Sequence, residues 1–292
     1  MIRIKEVITL QIDESWYQEL NLGKISQITP VSGGDINLAF AIESDQGKYF
    51  LKVQPNNQAS FFNHEKEGLD LINTVANAPK VIRIGTFKNC GYLIQKFVDF
   101  GTGSQYDLGQ LVAKLHQKHA PKFGLDHDVL NAKNTKINRW QDNWSDFYVN
   151  QRLNVLAKLV KEKGYWNNYR EKLFIDYKNM IVDYYQKNPI VPSLLHGDLW
   201  NGNVGFEINH QPILFDPDVF YGNREMDIAM TLLFGGFTDD FYRGYNSVYP
   251  LSQGWQKRMI WYQVYYLLAH LNLFGEMYGP SLEEALQQSV ND

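Results

Sequence analysis

The sequence predicts an α+β protein of two lobes, a small antiparallel β-sheet with one main helix followed by a larger, mostly helical part. Three observations predict it. Strand-like runs bounded by Gly and polar turns crowd the first hundred or so residues, a Gly-containing hinge follows at Asp99 to Ser104, and helical patterning dominates beyond it. The lobes are placed at residues 1–98 and 99–292.

From Ile25 to Val53 three runs, ISQITPVS, INLAFAIES and KYFLKVQ, carry the β-branched and aromatic residues that suit a pleated surface. Gly33-Gly34 lies between the first two and SDQG between the second and third, so both connections read as turns. Ser60 to Ala76 places Phe61, Phe62, Leu69, Leu71, Ile72 and Val75 at helical spacing, and KVIRIGTF and GYLIQKFV then read as a fourth and fifth strand. After the hinge, YDLGQLVAKLHQKH and much of Asn143 to Lys187 read as helix, and the tail from Arg224 offers at least three more helical segments. The tail's aromatic cluster from Trp255 to Phe274 has helical spacing and reads as core rather than as a ligand cage.

Composition narrows the function. The chain has 292 residues, 44% of them hydrophobic, enough to bury a sizeable core. A formal charge of -4 without a long Lys or Arg run argues against nucleic acid or an anionic membrane surface as partner. The amino-terminal segment lacks a signal-peptide core and nowhere do 18 apolar residues run together, so a cytoplasmic setting is expected. Cys90, the single cysteine, excludes an intrachain disulfide and a multi-cysteine zinc site, and reads as a packed small side chain.

The chemistry is concentrated in two stretches, LHGDLWNGNVG at 195–205 and FDPDVFYGNREMD at 215–227. Phosphoryl transfer needs a carboxylate to orient the attacking hydroxyl and accept its proton, and oxygen ligands to hold Mg²⁺ on the nucleotide phosphates. Asp198 suits the first task, and Asn203 and Asp216 the second. The Asp-x4-Asn spacing is that of the protein-kinase catalytic loop, but alone it is weak, because Asp and Asn are common in loops.

The first lobe strengthens it. Gly33 and Gly34 sit at a strand-to-strand turn where backbone N–H groups can approach phosphates, against the plainer reading of an ordinary hairpin. Lys52, in the largely apolar run YFLKV, is placed to reach the α and β phosphates, against the plainer reading of an exposed edge-strand lysine. Glu65 in the following helix is its expected partner, with Glu67 a rival. Asn37, closing the Gly turn, and Gln95 and Phe97, preceding the hinge, complete the expected nucleotide contacts. Gly turn, Lys, Glu and the Asp-Asn-Asp set, in that order, point to a protein-kinase-like fold that uses ATP and Mg²⁺.

Only Pro217 to Asn223 separate Asp216 from Arg224, where the next helix is expected, which leaves no room for a peptide-docking activation segment. The acceptor is therefore expected to be a small hydroxylated molecule, with Trp200, Asp218 and Arg224 as candidate contacts. Each has an alternative: core packing for Trp200, a solvated or metal-binding carboxylate for Asp218, local pairing with Glu225 for Arg224. His196 reads as structural rather than as a base, and Asp227 as a cap or a brace for the catalytic loop.

These motifs also resemble a family, the fructosamine or ketosamine 3-kinases, relatives of the aminoglycoside phosphotransferases. The resemblance spans almost the whole chain and rests on GGDIN (33–37), FFNHEKEGL (61–69), FGLDHD (123–128), WSDFYVNQRL (144–153), HGDLWNGN (196–203) and DPDVFYGNREMDIAM (216–230). It implies an ATP-dependent kinase acting on the sugar 3-hydroxyl of a small ketosamine or glycated amine, a deglycation activity, and leaves oligomeric state open. The chain departs from the family at Asp35, where some members carry Cys, at Asn201, where Ser is usual, and at Asp218, where a small residue is usual. Other small-molecule kinases, of aminoglycosides or choline, and a nucleotide-binding pseudokinase remain as alternatives, the last disfavoured because Lys52, Asp198, Asn203 and Asp216 are all present.

Overall fold

A computed structural model of the chain describes residues 12–31, 37–130 and 135–291. Their contacts divide into two compact units, the first made of the described residues through Asp70 together with Pro79–Asp99, the second of Leu71–Ala78 and the described residues from Phe100 on. No described helix is long and apolar enough to cross a membrane.

The first unit opens with helix α1 (Glu14–Leu20), which sequence patterning did not reveal although Asp13 caps it, accepting from the amides of Ser15 and Trp16. Strands β1 (Ile25–Val31), β2 (Leu38–Ser44) and β3 (Gly47–Pro55) follow, then a 3-10 turn at Ala59–Phe62 and helix α2 (Asn63–Ile72). Strands β4 (Val81–Phe87) and β5 (Cys90–Lys96) complete an antiparallel sheet of order β1-β2-β3-β5-β4. Strand alternation decides which side chains are buried together. Phe40 and Ile42 of β2, Tyr49, Leu51 and Val53 of β3, and Tyr92 and Ile94 of β5 pack with Trp16 and Leu20 of α1 into one core. Lys52, between Leu51 and Val53, therefore projects to the opposite face of the sheet's central strand.

The second unit is mostly helical. Helix α3 (Gln105–His116) packs on α8 (Asp239–Val248) so closely that a Cβ at Gly109 would lie 2.0 Å from the Phe241 carbonyl oxygen, and one at Gly244 2.0 Å from that of Tyr106. Between them come the antiparallel pair β6 (Val129–Leu130) and β7 (Thr135–Lys136), helix α4 (Trp144–Tyr148), a π-helical turn (Val149–Leu153), α5 (Asn154–Glu162) and α6 (Asn168–Lys187). Helices α7 (Glu225–Phe234), α9 (Trp255–Phe274) and α10 (Gly279–Asn291) complete the unit. The aromatic run of α9 is largely core: Trp261, Tyr262 and Tyr266 are buried, while Phe274 at its end is exposed.

Four three-residue strands position the functional loops. β8 (Ser193–Leu195) pairs with β11 (Phe220–Gly222), and β9 (Val204–Phe206) with β10 (Pro212–Leu214). Residues 196–203 thus run from β8 to β9 and residues 215–219 from β10 to β11, so each loop is pinned at both ends by a strand that pairs with the other loop's flank.

Candidate active site

In the first unit the Lys52 Nζ lies 2.6 Å from Glu65 Oε1, with the two side chains only 9% and 17% exposed. A lysine on an edge strand would be hydrated; this one sits on the third strand of five and is held by a carboxylate from α2. Gly33 and Gly34 lie outside the described residues. Asn37 follows them, and its Oδ1 is buried without a hydrogen-bond partner among the described residues, as is Oε1 of Gln95 on β5. Buried acceptors without donors are uncommon and suit a ligand with N–H groups. The Phe97 N–H donates to the Lys48 carbonyl at 3.3 Å, so that amide is committed within the sheet.

The second unit holds the Asp-Asn-Asp set. Asn203 Nδ2 donates to Asp198 Oδ2 at 2.8 Å and to the Asp198 carbonyl at 2.9 Å. These bonds commit the amide's donor side to the aspartate and leave Oδ1 as the atom with the right chemistry for a hard cation. The Phe215 N–H donates to the Asn203 carbonyl at 3.0 Å, which ties the start of the second loop to the end of the first. Asp216 adopts φ 55°, a left-handed conformation that Asp tolerates better than most residues. Burial raises the Asp198 pKa above the ordinary carboxylate range, while His196, Lys136 and the Asn203 hydrogen bond oppose the rise and Asp216 adds to it.

Backbone bonds of the loop 196–203 converge on Asp227, fully buried near the start of α7. Its Oδ2 accepts from the His196 N–H at 2.7 Å and its Oδ1 from the Gly197 N–H at 3.0 Å. His116 Nε2 of α3 lies 3.0 Å from the same carboxylate. Gly197 has φ 81°, and a Cβ there would lie 1.9 Å from the Asp218 carbonyl oxygen, so only glycine fits. His196 Nε2 lies 3.1 Å from the Phe215 carbonyl, which can only accept, and its Nδ1 receives the Asp198 N–H at 3.3 Å. Both nitrogens are thereby engaged with backbone next to Asp216 and Asp198, a bracing geometry rather than that of a free base.

The expected acceptor contacts fare differently. Trp200 is 44% exposed rather than core, its indole lying over Gly202. Arg224 donates to the carbonyls of Tyr249 and Pro250 at 2.7 and 2.6 Å and stacks on the Tyr249 ring at 3.6 Å. Its guanidinium is thus occupied in joining α7 to the segment after α8. The alternative of an Arg224–Glu225 pair is corrected: Glu225 binds Arg258 of α9 through two hydrogen bonds of 2.6 and 2.8 Å, because the buried carboxylate at the start of α7 faces inward. Asp218 is ion-paired with Lys136, a residue that sequence patterning did not single out.

The fructosamine kinase family model matches residues 8–292. The chain belongs to the fructosamine kinase family. It is a kinase, an enzyme of the phosphotransferase class. It is 50% identical to a probable ketoamine kinase of Lactiplantibacillus plantarum over 279 residues, covering 96% of this chain and all of the relative. It is also 34% identical to the chloroplastic protein-ribulosamine 3-kinase of Arabidopsis thaliana, across 90% of this chain and 83% of the relative. The solved structure of a candidate fructosamine-3-kinase from Thermobifida fusca superposes with a TM-score of 0.83 at 25% identity, over 94% of this chain and 98% of the other. The aminoglycoside phosphotransferase APH(4)-Ia, solved with ADP and hygromycin B, shares the kinase-like fold at TM-score 0.67 and 14% identity, over 96% and 98%.

Proposed function

We propose that the protein transfers the γ-phosphoryl group of ATP to the 3-hydroxyl of a small ketosamine, such as a fructosyl or ribulosyl amine. The observation that carries the assignment of roles is the Asp198–Asn203 pair, a half-buried carboxylate oriented by an amide whose carbonyl oxygen remains available to a cation. Asp198 accepts the proton of the acceptor hydroxyl as its oxygen bonds to the γ-phosphorus and the bond to the bridging oxygen of ADP breaks. Lys52, held by Glu65, orients the α and β phosphates. Asn203 and Asp216 would hold Mg²⁺, whose chemistry when bound is to offset charge on the phosphate oxygens. Asn37 and Gln95 offer buried acceptors to the nucleotide.

Relatives carrying the names ketoamine kinase and protein-ribulosamine 3-kinase support the ketosamine as acceptor and a deglycation role. A cytoplasmic setting, where ATP is plentiful, completes the proposal. The test is incubation with ATP, Mg²⁺ and fructosyl-lysine or ribulosyl-lysine, followed by mass spectrometry and NMR of the product. A phosphate on the sugar 3-oxygen is expected. Phosphate on another hydroxyl overturns the regiochemistry, and absence of any phosphorylated ketosamine overturns the acceptor class.

A further inference from the structure

The antiparallel pair of β6 and β7 is too short to define itself, since each strand has only two residues. What fixes the chain just after Lys136 is a set of side chains from neighbouring segments. Arg152 of the π-helical turn donates to the Ile137 carbonyl at 2.5 Å and to Asn138 Oδ1 at 2.6 Å. Its guanidinium lies between the Phe147 and Phe220 rings, 4.5 and 4.4 Å from their centroids. The adjacent Gln151 donates to the Arg139 carbonyl at 2.8 Å, and the Asn138 N–H to Asp128 Oδ1 at 2.8 Å. Lys136 thus leads into a segment held by these bonds, and its ammonium is ion-paired with Asp218.

Asp218 is in turn part of the catalytic loop's support. Its N–H donates to the His196 carbonyl at 2.8 Å, and its own carbonyl oxygen packs against Gly197, the residue before Asp198. The positive charge of Lys136 acts on Asp198 and favours its ionised form. The pair is also open: the Lys136 and Asp218 side chains are 30% and 24% exposed, whereas Arg258 and Glu225, a purely structural pair, are 7% and 6% exposed. The pair borders Asp198 on two counts, the charge of Lys136 acting on that carboxylate and the Asp218 carbonyl packing on Gly197 just before it.

We propose that Lys136 and Asp218 form a specificity-determining charge pair, and that the acceptors it selects are zwitterionic ketosamines, those whose amine belongs to an amino acid with a free α-carboxylate. The proposal rests on the ketosamine-kinase reading above and adds the class of the amine portion. A ketosamine that carries only its ammonium competes with Lys136 for the single Asp218 carboxylate. A zwitterion places its ammonium against Asp218 and its carboxylate against Lys136, so all four charges alternate in sign. A polycation meets the fixed ammonium of Lys136, a repulsive element that discriminates against it.

The experiment compares fructosyl-glycine with fructosyl-glycinamide, which share sugar and amine and differ in the carboxylate. With wild-type protein, kcat/KM for fructosyl-glycine is expected to exceed that for the amide by about tenfold, through KM, the worth of one charged hydrogen bond. Lys136→Met is expected to bring the ratio close to one, and Lys136→Arg to preserve it. Equal kcat/KM for the two acceptors in the wild type overturns the proposal and leaves the ketosamine reading intact. A ratio unchanged in Lys136→Met, or both acceptors losing rate in proportion, also overturns it, the second because it assigns Lys136 a merely structural role. Wild-type protein that phosphorylates ribulosyl-lysine but neither glycine acceptor overturns this proposal alone, and protein that phosphorylates none of the three overturns the ketosamine reading and this proposal with it.

Discussion

In the role proposed for Asp198 two physical demands oppose each other. Burial makes the carboxyl a stronger proton acceptor by raising its pKa, yet the group must be ionised to act as a base. The Asn203 hydrogen bond and the nearby Lys136 charge favour the ionised form, and the backbone bonds to Asp227 hold the loop in place whatever the protonation state. Asp198→Asn is nearly isosteric and leaves the Asp227 bonds untouched, so the fold should survive, with an unchanged thermal midpoint. Turnover is expected to fall by about 10²- to 10⁴-fold, and near-normal ATP consumption with acceptor would remove Asp198 from the role. Asp216 asks a different question, because a neutral amide holds Mg²⁺ less well than a carboxylate. Asp216→Asn should therefore raise the Mg²⁺ concentration needed for half-maximal rate, while Lys52→Met should slow turnover even at saturating Mg²⁺. Full activity of Asp216→Asn at limiting Mg²⁺ would shift the ligand role to Asp218.

The elements differ in how clearly the sequence announces them. The five sheet strands and the long helices α3, α6 and α9 are long enough for period 2 or 3.6 to show. Strands β8 to β11 have three residues each and cannot show a period, although they set both catalytic loops; those loops were legible only through their residue types, HGDLWNGN and FDPD. Lys136 was hidden for the same reason, on a two-residue strand. Arg152 left a faint signal, a guanidinium beside Phe147 and Tyr148 in a helical stretch, but its target 15 residues away depends on the π-helical turn. Helix packing carries a pH dependence of its own. His116 of α3 is fully buried between Tyr245 Oη and Asp227, at 2.8 and 3.0 Å, and burial lowers its pKa, with Asp227 opposing and Arg224 and His196 adding to the fall. Between that lowered value and about 6.5 the unfolded chain binds more protons than the folded one, so stability rises with pH across the window and is lost as pH falls through it. Urea midpoints measured from about pH 5 to 8 should show this slope. His116→Gln should flatten it, and an unchanged slope in that variant would place the acid sensitivity elsewhere.

On the scale of the whole molecule, the fold does not choose the acceptor. APH(4)-Ia shares the architecture at 14% identity, and one architecture commonly hosts different substrates. Under the proposed function the choice falls to side chains near Asp198, and there this chain has an exposed indole, Trp200, and a carboxylate ion-paired with Lys136. Aminoglycosides are polycations that call for several free carboxylates. Choline offers a permanent cation with no ring of hydroxyls to stack on an indole. A ketosamine has a sugar face for Trp200 and one amine, which fits a site of modest charge. In an ATP-consumption panel at equal acceptor concentration, kcat/KM for a fructosyl or ribulosyl amine should exceed that for hygromycin B, kanamycin and choline by at least about 10²-fold, the discrimination expected when wrong acceptors leave buried polar groups unpaired. Trp200→Ala should reduce ketosamine turnover mainly through KM without improving turnover of the polycations. Preference for an aminoglycoside over every ketosamine would mean that acceptor specificity in this chain has parted from its family while the phosphoryl-transfer machinery has not.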